Sequence, residues 1–202
     1  MKMGRVPLVL ASSSPRRREI LSQLGLAFAV AHADVDESSL PDETARDTAI
    51  RLAAAKAEKV AATHRDSLVI GADTLVTLDG HILGKPDDAP HAARMLFLLG
   101  GRTHEVVTGL AFYKLDEGLR EVRARVSTVA FKKLSAAMIE GYVASGEPVG
   151  KAGAYAIQGA GKALIEGYAG SYSNIVGLPV TELLRFIAEF GMDRLEWRDD
   201  IF

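Results

Sequence analysis

The chain contains no cysteine and no long apolar run. Without cysteine it can form neither disulfides nor thiolate chemistry, and any metal must be held by oxygen or imidazole ligands. Its five histidines show no paired zinc-site spacing, so we interpret them as non-ligands. The apolar segment Val6 to Ala11 is too short for a signal-peptide core or a membrane span. These absences favour a cytoplasmic protein with no membrane partner.

The chain also lacks an excess of charge of either sign. Its formal net charge is -2, and acidic and basic residues are interleaved. Proteins that bind a nucleic acid polymer usually present a net basic face, so that partner is disfavoured, whereas a small anion in a local basic pocket is not. The 202 residues show no repeat and no linker rich in Pro, Gly or Ser. We therefore predict a single domain over residues 1–202.

Short apolar runs alternate with segments of helical period, which indicates an α/β fold with a mixed, highly twisted sheet flanked by helices. The stretch 150–177 is rich in Gly and Tyr and has no clear period, so we interpret it as a functional loop with short strands. Strands are expected at 7–11, 28–33, 67–78, 82–83, 105–114 and 120–132, and helices at 14–25, 44–63, 88–99, 135–145 and 179–190.

A first candidate site is the junction 10–18, where a strand end, three serines and a helix N-terminus follow one another. Free backbone N–H groups and the helix dipole make such a terminus suitable for an anion. Arg16 and Arg17 in the first turn oppose that dipole, and a bound phosphate would offset the conflict. A capped helix with solvated arginines explains the pattern equally well.

Carboxylates after predicted strands form a second candidate site. Asp73 follows a buried apolar run and should emerge at the sheet edge, where α/β proteins place ligands. Glu37 and Asp36 follow the second strand in the same way. Such hard oxygen ligands suit Mg²⁺ or Mn²⁺. For Asp34 and Asp36 we favour a role in loops and caps, and for Asp73 a functional one.

Two lysines and one glutamine complete the candidates. Lys85 directly follows a hairpin, so it can point inward, whereas Lys56 taken alone is interpreted as a solvated helix residue. The Gln158 amide offers one donor and one acceptor to a nucleotide base. The polar stretch 170–179 either supports the pocket or is a simple junction into a helix.

Six motifs occur in the order in which the Maf family has them, from about Leu8 to Phe190. Together they resemble that family of nucleotide pyrophosphatases, long described as septum-formation inhibitors. The motifs are Leu-Ala-Ser-Ser-Ser-Pro-Arg-Arg at 10–17, Gly-Ala-Asp-Thr at 71–74, Gly-Lys-Pro at 84–86, Gly-Tyr-Val-Ala-Ser-Gly-Glu-Pro at 141–148, Gly-Ala-Tyr-Ala-Ile-Gln-Gly at 153–159 and Gly-Ser-Tyr-Ser-Asn-Ile-Val-Gly-Leu-Pro at 170–179.

The resemblance implies a fold similar to inosine triphosphate pyrophosphatases, with two lobes, a cleft and a possible homodimer. It implies hydrolysis of a nucleoside triphosphate to the monophosphate and pyrophosphate. Asp73 then looks like the proton acceptor, and Glu37 like its acidic partner at a divalent metal, Mg²⁺ or Mn²⁺. The phosphate-binding positions would be Ser12, Arg17, Lys56 and Lys85. The resemblance also implies a catalytic role for Lys85.

The remaining matched positions, Arg16, Thr74 and Gln158, resemble those that separate the substrate branches of the family. Gln158 looks like the branch that acts on dTTP and UTP, and modified pyrimidine triphosphates stay possible substrates. The resemblance also implies a house-cleaning role and a link to arrest of cell division. The alternative is a non-catalytic nucleotide-binding regulator of septum formation, which would be expected to lack one of these acids or lysines.

Overall fold

A computed structural model describes residues 5–38 and 40–198 as a mixed α/β structure. The strands are β1 Leu8–Ala11, β2 Ala29–Val30, β3 Leu68–Leu78, β4 His81–Leu83, β5 Thr103–Lys114, β6 Leu119–Phe131 and β7 Ile165–Ala169. The helices are α1 Pro15–Gln23, α2 Ala45–Ala61, α3 Ala89–Leu99, α4 Ala136–Ala144, α5 Tyr172–Val176 and α6 Val180–Phe190.

The seven strands form one sheet in the order β2-β1-β3-β5-β6-β7, with β4 paired to β3. Strands β2, β1 and β3 are parallel, whereas β4, β5, β6 and β7 join by antiparallel pairing.

Both faces of the sheet are covered at its centre, where β1 and most of β3 and β5 are buried. In β1, Leu8 and Leu10 belong to the larger apolar core, whereas Val9 and Ala11 belong to the smaller core beneath α2. This alternation is the period of two that any strand imposes. In β3 it directs Asp73 towards α2 and the next residue towards α1.

Helix α2 lies unusually close to the sheet because two strand residues opposite it are glycines. A Cβ on Gly71 would come within 2.2 Å of the Ala53 carbonyl oxygen, and one on Gly109 within 2.2 Å of the Ala49 carbonyl oxygen. Either contact is far inside van der Waals distance, so any larger residue would force the helix away. The small Ala face of α2 completes this close approach.

The predicted mixed sheet and most predicted elements are confirmed, with two differences. The second strand was predicted over 28–33 but spans only Ala29–Val30. The stretch 150–177, interpreted as a loop with short strands, also contains α5, which the Ser171 hydroxyl caps by accepting from the Asn174 amide. Residues 1–4, 39 and 199–202 lie outside the described residues, so the single domain over 1–202 stays a prediction.

Candidate active site

A cleft of about 410 Å³ opens where β3 loses its parallel neighbour. Strand β1 ends at Ala11, opposite Gly71, and β4 pairs only with Val76 to Leu78 on that edge of β3. The edge between these pairings therefore faces the cleft. All nine predicted site residues line it: Ser12, Arg16, Arg17, Glu37, Lys56, Asp73, Thr74, Lys85 and Gln158.

The extended run predicted over 67–78 is confirmed, but the interpretation of Asp73 as a carboxylate at a strand end is wrong in detail. Asp73 lies inside the eleven-residue β3, paired with Gly109 of β5. The strand continues past it because β5 pairs with β3 without interruption from Val69 to Thr77. Asp73 still reaches the cleft, because the shorter β1 has already ended beside it.

Lys56 is buried, so the interpretation of it as a solvated helix residue is wrong. Its Nζ donates to Asp73 Oδ1 and to Glu37 Oε1, both at 2.6 Å. The two carboxylate oxygens consequently lie within twice that distance of each other. Lys56 belongs to the apolar face of α2, four residues before Val60, which explains why it points at the sheet.

Glu37 reaches the cleft on the segment that follows β2, since that strand already ends at Val30. Its second oxygen, Oε2, accepts from Lys85 Nζ at 2.8 Å. Burial alone raises the pKa of Glu37, but the hydrogen bonds and charges of Lys56 and Lys85 outweigh it and hold the pKa at about 2. Glu37 is therefore ionised at neutral pH and is bonded to both lysines.

Arg17, which lines the cleft, donates hydrogen bonds to three separate segments of the chain. Its Nη1 donates to Ser12 Oγ at 3.0 Å, its Nη2 to Thr74 Oγ1 at 3.0 Å and its Nε to the Gly177 carbonyl at 2.8 Å. A guanidinium carries five N–H donors, so two stay available to a ligand. Burial lowers the pKa of Arg17, which nevertheless stays charged.

The sequence interpretation missed the polar residues that hold this cluster from behind. Thr108 Oγ1 lies 3.0 Å from Thr74 Oγ1 and donates to the Asn174 carbonyl at 3.1 Å. The buried side-chain amide of Asn174 donates through Nδ2 to the Val106 carbonyl and to Ser127 Oγ, both at 2.9 Å. Of the two interpretations of 170–179, support of the pocket is the one that fits. Asn174 lies within the motif at 170–179, whereas no sequence pattern distinguishes Thr108 from its neighbours.

The first turn of α1 lines the cleft. Ser14 has the extended conformation of an N-cap, but its hydroxyl caps no amide. The Ser14 amide itself donates to Ser12 Oγ at 3.3 Å. Arg16 also lines the cleft, and burial lowers its pKa. Of the two interpretations left open, a phosphate-binding terminus fits this arrangement better than a side-chain-capped helix.

The segment 150–158, which carries Gln158 and Tyr155, also lines the cleft. Behind it, His104 Nε2 lies 2.8 Å from the Tyr155 hydroxyl. Burial lowers the pKa of His104 to about 4, so it is neutral at physiological pH. Tyr155 and the neighbouring Lys151 also line the cleft and were missed as candidates.

Within residues 5–38 and 40–198 there is no cluster of three or more His, Cys, Asp or Glu that could hold a metal ion alone. In the same residues no helix is long and apolar enough to cross a membrane. The cleft is lined by two carboxylates, three lysines and two arginines.

The sequence pattern of the Maf-like protein family matches residues 7–190. This chain belongs to that family.

Among its relatives, the dTTP/UTP pyrophosphatase of Moorella thermoacetica is 49% identical over 186 residues, covering 92% of this chain and 96% of the relative. That of Myxococcus xanthus is 47% identical over 198 residues, covering 98% and 99%. That of Anaeromyxobacter dehalogenans is 50% identical over 192 residues, covering 94% and 96%. The likeness of this chain to Maf-like proteins therefore extends over nearly its whole length.

Proposed function

We propose that this protein is a nucleoside triphosphate pyrophosphatase that hydrolyses dTTP and UTP to the monophosphate and pyrophosphate. The observation that carries the proposal is the pair of carboxylates, Asp73 and Glu37, that the buried Lys56 holds at 2.6 Å inside the cleft. The relatives named dTTP/UTP pyrophosphatases support the same activity.

The triphosphate would bind at the end of the cleft where α1 begins. Backbone N–H groups of the first turn and the free donors of Arg17 suit phosphate oxygens. Lys85, with its side chain 58% exposed, can leave Glu37 for a phosphate at little cost. Ser12 and Lys56 complete the phosphate-binding set that we propose.

The donor set fits a divalent cation that is shared with the substrate. Mg²⁺ is commonly held by one or two carboxylates together with substrate phosphates and water, so a third acidic ligand is not needed. Glu37 and Asp73 would hold Mg²⁺ or Mn²⁺ here once the lysines have turned to phosphate. The bound cation would neutralise charge on the phosphate oxygens.

Asp73 is the group that we propose takes a proton from the attacking water. The water oxygen forms a bond to the α-phosphorus as the bond from that phosphorus to the bridging oxygen of the β-phosphate breaks. Pyrophosphate leaves with the electron pair, and the water proton passes to Asp73 Oδ2, the oxygen that Lys56 does not engage. Lys56, Lys85 and Arg17 would stabilise the negative charge that develops on the leaving group.

Gln158, which lines the cleft, would recognise the base. A uracil or thymine ring presents one N–H between two carbonyl groups, and a primary amide can pair with one carbonyl and the N–H. Arg16 and Thr74 are the other residues that we propose contribute to substrate selection. Modified pyrimidines that keep the same edge would be accepted as well.

The first experiment measures pyrophosphate and orthophosphate released from a panel of nucleoside triphosphates with Mg²⁺, Mn²⁺ or EDTA. We expect pyrophosphate mainly from dTTP and UTP, and none in EDTA. Asp73→Asn should lower kcat by about a thousandfold while nucleotide affinity changes little, because a positioned base contributes roughly that factor. Orthophosphate as the product would refute the cleavage site, and near-normal turnover of Asp73→Asn would refute the base.

In the cell, we infer a cytoplasmic house-cleaning role that removes unwanted pyrimidine triphosphates. A link to arrest of septum formation rests on the family resemblance alone. Comparing septation in cells that produce wild type or Asp73→Asn tests whether this link depends on catalysis. Equal arrest by both proteins would favour the non-catalytic regulator.

We also propose a homodimer, formed through the face that α3 and α4 share. Phe97 and Leu98 on α3 are exposed large apolar side chains beside an apolar groove. Arg94 and Glu140 lie on the same groove, so a second copy related by twofold symmetry could pair them across the interface. Phe97→Glu is expected to give a monomer in analytical ultracentrifugation, with Tyr168→Glu, a change at an exposed site on β7, as the control. A monomeric wild type would refute the dimer.

A further inference from the structure

Two side chains accept hydrogen bonds from the loop that carries Gln158, one from a residue before Gln158 and one from a residue after it. The Tyr142 hydroxyl accepts a hydrogen bond from the Ala156 amide at 3.1 Å. Glu147 Oε2 accepts one from the Gly161 amide at 3.2 Å. Both side chains come from α4 or the turn that follows it, so Gln158 lies between two points fixed to the same support.

The loop lies directly against Glu147, with no room for side chains between them. A Cβ on Gly159 would come within 1.7 Å of Glu147 Oε1. One on Gly161 would come within 2.8 Å of the Tyr142 hydroxyl oxygen. Gly159 therefore lets the backbone beside Gln158 lie against the carboxylate, and Gly161 lets it lie against the Tyr142 hydroxyl.

The turn that carries Glu147 is itself held in place. Lys151 Nζ donates to the Glu147 carbonyl at 2.6 Å. Burial raises the pKa of Tyr142 to about 12, and the negative charge of Glu147 adds to the rise. Burial lowers the pKa of Arg16, and the Glu147 charge opposes that shift. A fixed turn thus holds the carboxylate that accepts from the Gly161 amide.

We propose that Glu147 is a positioning residue that fixes Gln158 for recognition of the pyrimidine base. This inference rests on the proposed function, in which Gln158 pairs with the base. Glu147 itself acts through the Gly161 amide, and it does not touch the reacting phosphate. Removing the Glu147 carboxylate should raise KM and lower the preference between bases, without lowering kcat.

The test compares Glu147→Ala and Glu147→Gln with wild type, and uses Glu166→Ala at an exposed position of β7 as the control. With UTP, we expect Glu147→Ala to raise KM about tenfold, since losing a hydrogen bond to a charged group is worth roughly that factor. The preference for UTP over CTP should fall by a similar factor, whereas kcat stays within about twofold. Glu147→Gln should recover most of the KM, because its amide oxygen can still accept from Gly161.

Amide hydrogen exchange of the segment 156–161, measured without nucleotide, gives a readout that does not require activity. Faster exchange in Glu147→Ala but not in Glu166→Ala is expected. An unchanged KM and preference, an equal loss with every triphosphate, or no recovery in Glu147→Gln would each overturn the proposal. If wild type releases pyrophosphate from no triphosphate, the proposed function fails instead, and exchange alone then decides whether Glu147 holds the loop.

Discussion

Replacing Lys56 by Met tests the central ion pair most directly, because Met keeps the length of the side chain and removes its charge. Lys56 and Asp73 have side chains only 9% and 10% exposed, so water cannot replace their bond. Glu37, whose side chain is 45% exposed, can regain water when the lysine is lost. The substitution should therefore leave one buried carboxylate without a partner.

The expected loss in the free energy of unfolding has two contributions, a large one from the buried bond to Asp73 and a small one from the half-exposed bond to Glu37. Removing the partner of a buried, charge-assisted hydrogen bond costs about 2–3 kcal/mol, and the exposed half adds about 0.5 kcal/mol. We therefore expect the free energy of unfolding of Lys56→Met to fall by about 3 kcal/mol. For a chain of this size, that corresponds to a melting temperature lower by roughly 6–12 °C.

Urea denaturation followed by far-UV circular dichroism at pH 7.5, without nucleotide or metal, measures this loss. Lys133→Met, at an exposed position after β6, is the control and should change the unfolding free energy by less than about 0.5 kcal/mol. The double variant Lys56→Met/Asp73→Asn should be more stable than Lys56→Met alone, because it buries no unpaired charge. A loss no greater than the control's, or no recovery in the double variant, would refute the reasoning.

Two further predictions concern Gln158 and Glu37. Gln158→Glu should lower kcat/KM for UTP and dTTP by at least about tenfold, since a carboxylate cannot donate to a base carbonyl; unchanged ratios across the triphosphate panel would assign base selection to other residues. Because the folded-state pKa of Glu37 is lowered from 4.5 to about 2, its contribution to stability is present above pH 4.5 and is lost as the pH falls towards 2. The urea midpoint of wild type should thus exceed that of Glu37→Gln at pH 7 and converge with it near pH 2, and a constant difference over this range would contradict the assignment.

The fold could largely be predicted from periodicity, because β1, α2 and the β5–β6 pair carry strong strand or helix patterns. The exact place of Asp73 could not, since whether a strand ends or continues depends on the length of its neighbour. The burial of Lys56 was visible in principle, because it shares its helix face with Ala49, Ala53 and Val60. Taken as a single lysine it was misjudged, since a buried cation is recognisable only once its acidic partners are located.

The residues behind the site were beyond reach of the sequence for a different reason. Thr108 contacts Thr74 and Asn174 only because β3 and β5 pair in a register that places Thr74 opposite it. That register follows from the packing of the whole sheet. An isolated threonine in an apolar strand has no pattern that distinguishes it from its neighbours.

The close approach of α2 to the sheet has a consequence for how the protein tolerates change. At Gly71 and Gly109 the helix backbone rests on the strand backbone, so no side chain sets the spacing between Lys56 and Asp73. Elsewhere the core is built of apolar side chains that can be exchanged for others of similar volume. Such exchanges would alter stability while leaving the distance between lysine and carboxylate fixed. The protein can therefore accumulate core substitutions, by drift or by design, without its site being rebuilt each time.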